Sequence, residues 1–349
     1  MKTSAIRWRI LAAATAWLAL VAAGRAADTV KLTKGSLQGH VVGMSPEKVE
    51  LETSTGKNKE IAVSTIKTIF FEGEPTELKI AKTHAMSGHY VEAAAALARI
   101  DKELGRAEVQ QDMEFYKALC AGKIAPAAGN APADVVAALK SFLDAHPNNY
   151  HYFEACETLG DVLKSSGRPN EAIGYYESLQ KAPWPEYQMR AGVAIGRSLL
   201  AQGKVAEAQK AFERVVAVEA DSDLAQAQRL QAQLGRAAAR VAAKKPDDAV
   251  KIVESILKSV DPQEAAILAP AYNVLGAAHR EAGRLQEALL AYLTVDHLYA
   301  AVPDAHAEAL ANLAELWSQM GHKDRAELAR KTLLEKYPTS PWSQNRPHQ

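Results

Sequence analysis

The chain has only two cysteines, Cys120 and Cys156, in 349 residues. Neither has a histidine at catalytic or zinc-like spacing. Both fall in alanine-rich helical patterns at positions that face a core, where a cysteine acts as a small hydrophobe, although an oxidising compartment would also allow a disulfide. Net charge is missing too, with 41 Lys and Arg against 41 Asp and Glu. Four of those cations, Lys2, Arg7, Arg9 and Arg25, lie in the first 26 residues, which hold no acid; the remainder carries 37 against 41, a net charge of −4. Such a chain has no global attraction to nucleic acid or anionic lipid. There is no Gly-rich phosphate loop, no Gly-x-Ser-x-Gly, no His-Glu-x-x-His and no acidic calcium loop. His84 and His89 are five apart and off one helical face, which does not make a metal pair. The sequence therefore leads us to expect no enzyme, no cofactor and no metal site.

What is present is a folded, alanine-rich chain, 48% hydrophobic and 23% charged, with 20 Gly and 15 Pro. Its length allows more than one domain. Residues 1–26 read as a secretory signal peptide. Lys2, Arg7 and Arg9 form a basic start, Ile10 to Ala23 is apolar, and Gly24-Arg25-Ala26 offers small residues around a cut after Ala26. The apolar run is shorter than the ~20 residues of a spanning helix, and no cysteine follows it for lipid attachment. The expectation is an exported bacterial protein, periplasmic or extracellular.

Residues 27–73 change period. Val30 and Leu32, then Leu37, Val41 and Val42, then Val49 and Leu51, then Ile61 and Val63, then Ile66, Ile69 and Phe71 mark four or five short strands. Lys34-Gly35, Ser45-Pro46 and Thr55-Gly56-Lys57 supply the turns. So many short strands in so few residues predict a small closed or nearly closed β-barrel. The order Val-x-Leu-x-x-Gly-x-x-x-Gly-x-Val from Val30 to Val41 resembles the Sm-like (or SH3-like) small barrels. The segment departs from that family where RNA binding would need it. Met44 and Ser45 stand at the polar positions after the second Gly, Ala62-Val63 replaces the basic element before the last strand, and no aromatics are placed to stack bases. The barrel is read as structural or protein-binding, without nucleic acid.

From residue 74 to 349 the period is helical. Pro75 suits the first turn of a helix. In 272–295, Tyr272, Leu275, Gly276 and His279 are followed by a break at Ala282-Gly283-Arg284 and then by Ala288, Tyr292 and Val295. The same pattern recurs with Leu159-Gly160, Gly167, Ala172 and Tyr176, and with Ile195-Gly196, Gly203, Ala208 and Phe212. Leu234-Gly235 and Ala249 follow, with a longer turn at Lys244-Lys245-Pro246, and Leu313-Ala314, Gly321 and Ala326 come last. Ile80-Ala81, Gly88 and Ala93 begin the series, and an irregular second unit lies around 110–147, with an expanded Ala/Pro/Gly loop over 122–133. The head alanines at 172, 208, 249, 288 and 326 are spaced by 36, 41, 39 and 38. This resembles the tetratricopeptide repeat (TPR), though with longer connections than its usual period. The fold class so predicted is mainly α, a right-handed TPR solenoid of about seven helix pairs preceded by a small all-β barrel. Within a repeat, Gly276 and Ala288, like Gly196 and Ala208, are expected to face each other so that the helices can approach, with His279 packed in the core. Trp342 is placed to cover the last face before the proline-rich tail.

The resemblance implies a concave surface lined by the first helix of each pair. The third pair would present Glu154, Glu157 and Asp161, and the seventh Glu308, Asn312 and Glu315. Between them fall Arg190 and Arg197, then Arg229, Arg236 and Arg240, then Asn273 and Arg280. The six arginines predict a basic strip between acidic ends, the candidate partner-binding site, with an ordinary solvated face as the plain alternative. The Lys/Asn constellation with which some TPR proteins hold a C-terminal carboxylate is missing, because Ala277 stands where a second Asn is needed. The expected function is that of an exported, non-enzymatic scaffold binding protein or peptide segments in the groove, in assembly or organisation of the cell envelope. The alternative is a binder of an anionic polymer or glycan through the basic strip.

Overall fold

The computed structural model describes residues 27–101, 104–125 and 133–343. The leader at 1–26, most of the loop at 122–133 and the tail from 344 lie outside them.

Five antiparallel strands come first: β1 (Asp28–Leu32), β2 (Ser36–Met44), β3 (Lys48–Glu52), β4 (Asn58–Ala62) and β5 (Ile66–Phe70). Gly35 and Gly56 take positive φ in the two tight turns, a conformation glycine adopts without penalty. The strands are ordered β4-β3-β2-β1-β5. The ladders among the described residues do not pair β4 with β5, so the expected closure by hydrogen bonds is not made. The register shift at Val41/Gly43 bends β2 so that it serves both halves of the sheet. A Cβ on Gly39 would lie 2.3 Å from the Glu52 carbonyl oxygen, so β2 can cross β3 this closely only with glycine there.

Fourteen α-helices follow among the described residues, in seven pairs: α1 (Thr76–Met86) with α2 (Tyr90–Leu97), α3 (Ala107–Ile124) with α4 (Ala133–Ala145), α5 (Tyr152–Ser165) with α6 (Pro169–Gln180), and α7 (Pro185–Ala201) with α8 (Val205–Val216). The series continues with α9 (Asp223–Ala242) and α10 (Pro246–Ser259), α11 (Ala265–Glu281) and α12 (Leu285–Leu298), and α13 (Pro303–Gln319) and α14 (Lys323–Lys336). Each first helix packs on its own second helix, and each second helix also packs on the next first helix. The turn inside a pair has one design in every pair but the second, part of whose turn lies outside the described residues. A residue with positive φ ends the first helix, and the next N–H reaches back to a carbonyl five residues earlier, as from His89 to His84, Arg168 to Leu163, Lys204 to Leu199, Arg284 to His279 and His322 to Trp317. Gly88, Gly167, Gly203, Gly283 and Gly321 fill the positive-φ position. The turn of the fifth pair is no longer than the others. Lys245 bonds back to Arg240 in the same way, and Lys244 takes the glycine's place at φ 59°.

The tight contact inside a pair differs from the expected glycine-on-alanine. A Cβ on Gly160 would meet the Tyr176 ring at 2.5 Å, one on Gly196 the Phe212 ring at 2.5 Å, and one on Gly276 the Tyr292 ring at 2.7 Å. The glycine makes room for the aromatic of the second helix rather than for its head alanine. Phe212 is gripped from both sides, because Gly235 of the next pair would also clash with it, at 2.4 Å. Ile80, expected in the core, is exposed, and Leu78, Ala81 and Ala85 face inward instead. Cys120 and Cys156 are buried and free, and burial pushes their thiols up to about 11 and about 12. Trp342 packs with Tyr337 against Ala307, Leu310 and Leu333, closing the stack as expected.

The sheet does not keep a core to itself. Val30, Val49, Leu51, Ile69 and Phe71 belong to one hydrophobic cluster with Leu78, Phe115, Leu139, Leu159 and Tyr176. Asp28, fully buried at the start of β1, accepts from the Val41 and Glu72 N–H groups, both at 2.8 Å, and from both terminal nitrogens of Arg106 at 2.6 and 3.0 Å. Burial works to raise its carboxyl, but Arg106 and the two N–H groups overcome this and hold it below its usual range. Arg106 also lies over the Phe71 ring at 4.9 Å. Thus the residue just before α3 is tied to two strands at once.

Candidate functional site: the inner wall of the solenoid

The first helices from α5 to α13 carry polar side chains on their inner side, and several cross from one helix to the next. Arg190 of α7 meets Glu157 of α5 at 2.8 Å and lies over its own neighbour Tyr187 at 4.5 Å. Arg280 of α11 meets Glu315 of α13 at 2.9 Å. Asn273 of α11 donates to the Ala305 carbonyl at 2.8 Å and to Glu308 at 3.0 Å.

The structure redistributes the six arginines of the expected strip. Arg190 and Arg280 are paired, as above. Arg229 turns back to the loop before its own helix, donating to the Val218 and Ala220 carbonyls at 3.0 Å each and to Gln226 at 2.7 Å. Arg197, exposed at its tip, donates to Gln231 of α9. Arg236 and Arg240 are half-buried, with no hydrogen bond or ion pair among the described residues. In the repeat register, one residue after the glycine gives Arg197 and Arg236, while Arg240 aligns with Glu281 instead. The strip is therefore short, and Arg197 and Arg236 are its centre.

Two asparagines read as groove-facing are buried. Asn273 is spent on α13, and Asn312 donates to the Glu308 carbonyl of its own helix at 2.9 Å. Sequence spacing placed them on the inner side correctly but could not show that the neighbouring helix covers it. His279, expected in the core, is half-buried and accepts from Arg284 Nε at 3.0 Å across the turn; burial and that guanidinium hold its imidazole below its ordinary value.

The electrostatics differ along the wall. Burial pushes the Glu308 carboxyl up to about 7, against the opposing hydrogen bond from Asn273. Burial holds Lys164 below its ordinary value; Asp161 opposes this and Arg197 adds to it. Arg197 is lowered by burial as well, since a guanidinium open at its tip but walled in by the groove is poorly solvated. The reading of the sequence missed Lys164. Its signal was available in the repeat register, where Lys164 and Arg280 occupy the same place, four residues after the glycine.

Among the described residues no group of three His, Cys, Asp or Glu side chains could hold a metal ion, and no helix is long and apolar enough to cross a membrane.

Comparison with known proteins agrees with this architecture. The tetratricopeptide repeat family profile matches residues 163–234. No curated protein matches the sequence. Among solved structures, the chain is similar to a tetratricopeptide repeat protein from Parabacteroides merdae, with 16% identity over 74% of this chain and 91% of that one and a TM-score of 0.56. It is also similar to a Rap protein solved in complex with Competence and Sporulation Factor, with 13% identity over 77% of this chain and 74% of that one and a TM-score of 0.54. At these identities the likeness is one of fold. The chain thus carries a tetratricopeptide-repeat match over 163–234 and shares the fold of tetratricopeptide-repeat structures along its helices, with a five-stranded antiparallel sheet in front.

Proposed function

We propose that this protein is an exported, non-enzymatic scaffold that seats a segment of a partner protein against the inner wall of its solenoid, in assembly or organisation of the cell envelope. The observation that carries this reading is the run of polar side chains that reach from one first helix to the next, Glu157 with Arg190, Arg197 with Gln231, Asn273 with Glu308 and Arg280 with Glu315, so that five first helices present polar groups along one wall. A wall of this kind offers side-chain donors and acceptors to a chain laid along it, as in helix-in-groove or extended-segment recognition. The Rap structure lends support, because a similar fold there holds another molecule. Export rests on the composition of residues 1–26, and the sheet, fused to the first helices, serves as a fixed end of the scaffold rather than an RNA-binding module.

One experiment addresses both parts. The protein is recovered from its native compartment with whatever it holds, and the complex is analysed by intact mass. The expected result is a chain beginning at Ala27 together with a stoichiometric protein partner. A chain retaining residues 1–26 in the membrane would overturn export, and a chain with no protein partner under mild extraction would overturn the scaffold reading.

A further inference from the structure

The cross-helix contacts follow a rule. Counting from the glycine of each first helix, the residue three before or four after it reaches the residue six before or one after the corresponding position of the next first helix. Glu157 to Arg190, Asn273 to Glu308 and Arg280 to Glu315 all obey it. Applied to the remaining steps, the rule finds no complementary partner in the middle of the wall. Lys164 faces Arg197, two cations, and their repulsion is one of the forces lowering Lys164. Leu200 stands opposite Arg236, and Val193 opposite Arg229, which bonds its own loop instead. Between α9 and α11 the facing residues are Ala232 with Pro270 and Ala239 with Ala277, which leave a low, uncharged floor. The wall is thus cross-linked through carboxylates at both ends, whereas at its centre Arg197 reaches only the neutral Gln231 and no ion pair joins α7 to α9 or α9 to α11 among the described residues.

The acid nearest this centre is already engaged. Asp161 accepts from Tyr176 at 2.8 Å and is approached by Lys123 at 3.9 Å and Lys164 at 3.8 Å. Positive charge is therefore left over beside it, on a chain whose mature net charge is negative.

Resting on the scaffold reading above, we propose that the centre of the wall, where among the described residues no ion pair joins α7 to α9 or α9 to α11 and which is formed by Lys164, Arg197 and Arg236 over the small residues of α9 and α11, is the docking site for an acidic segment of a partner protein. Carboxylates would complete the missing contacts, much as Glu157 and Glu315 do at the two ends. Guanidinium groups bind carboxylates with two parallel hydrogen bonds, which gives direction as well as strength. Neighbouring packed helices lie roughly 8–10 Å apart, and acids three residues apart on an extended segment are spaced by about 10 Å, so one segment can reach Arg197 and Arg236 together. The alanine and proline floor lets its backbone come close.

The test measures binding of a fluorescently labelled oligoglutamate peptide to the mature chain by anisotropy. The parent should bind, and Arg197→Gln with Arg236→Gln should weaken binding roughly tenfold or more, the loss expected for two charge-assisted contacts. Arg280→Gln, whose partner is Glu315, should change it less than about twofold, and circular dichroism should show all variants equally helical. Failure of the parent to bind oligoglutamate at low salt, or equal binding by the double variant, would overturn the proposal while leaving the scaffold reading intact. Tighter binding of oligolysine than oligoglutamate would also overturn it, placing the site on the acidic ends. Preferential binding of a sulfated polysaccharide, with the steep salt dependence of counterion release, would replace the acidic protein segment with an anionic polymer.

Discussion

The junction between the sheet and the first helices is held together differently from the repeats that follow. At the junction the buried polar residues are charged and numerous: Asp28, Glu74, Lys82, Asp112 and His151, with Thr68 and Asn149. Lys82 Nζ donates to Glu74 at 2.5 Å and the Ile69 carbonyl at 2.7 Å and lies 2.7 Å from Asp112, so its three donors have three acceptors. Asp112 is approached by His151 at 3.5 Å and accepts from Tyr150 at 3.3 Å. Burial works to raise the Asp112 carboxyl, but Lys82 and His151 overcome it and hold it below its ordinary value. Farther along, the buried polar side chains among the described residues are Thr158, Ser198, Asn273, His306 and Asn312, all uncharged residue types except the histidine. There the contacts are glycine against aromatic ring, repeated from pair to pair.

The difference follows from what each interface must join. A repeat meets a near copy of itself, so one small-to-large fit can be reused and the cost of burying charge is avoided. The junction joins the end of a sheet to a helix pair of another shape. The carbonyl of Ile69 in β5 would be orphaned there, and Lys82 supplies its donor, which brings two carboxylates in as counter-charges.

Four substitutions probe this contrast. Lys82→Met leaves Glu74 and Asp112 buried beside each other without their cation, and removing one partner of a buried ion pair costs about 3–5 kcal/mol. The midpoint of urea unfolding should fall accordingly; an unchanged midpoint would mean that the junction adds nothing to stability. Within the repeats the effect should be smaller and of either sign. Gly196→Ala relieves the helix of a glycine, worth roughly 0.5–1 kcal/mol, but overpacks the Phe212 ring at a cost of about 1–3 kcal/mol, so a net loss is expected. Gly174→Ala, in α6 with nothing within 4 Å of an added Cβ, should instead stabilise; equal signs for the two glycines would refute the ring contact. The smallest change is expected at Lys244→Gly. Relief of a positive φ, about 1–2 kcal/mol for an L-residue, is partly offset by the surface pair of Lys244 with Glu281 at 3.0 Å, worth at most ~1 kcal/mol. A modest rise in thermal midpoint is the expected readout, and a fall would show that the pair outweighs the strain.

Much of the fold was legible because its signals are local. Gly35 and Gly56 mark turns, Gly167, Gly203, Gly283 and Gly321 stop helices, and the spacing of apolar residues changes from two to helical near residue 74, where the strands give way to helices. The fifth turn was misjudged because Lys244 does a glycine's work, which no propensity announces. The candidate site was legible in position but not in state. Spacing assigned Arg190, Arg197, Arg229, Arg236, Arg240 and Arg280 to the wall, yet Arg190, Arg197 and Arg280 find their partners more than thirty positions away, and Arg229 bonds the loop before its own helix.

By itself, the sequence determined the number of helix pairs, the places where they turn, the strands in front of them and the excess of arginine between acidic first helices. These follow from backbone conformation and from periodicity, which act over a few residues. Only the tertiary structure decided that the sheet shares its core with the first helices, that Lys82 is buried to satisfy a strand edge, and that Glu157, Glu308 and Glu315 close the ends of the wall while among the described residues no ion pair joins the first helices at its centre. The reason is that a charge's partner is chosen by the registry of helices packed side by side, and that registry is a property of the stack rather than of any one repeat.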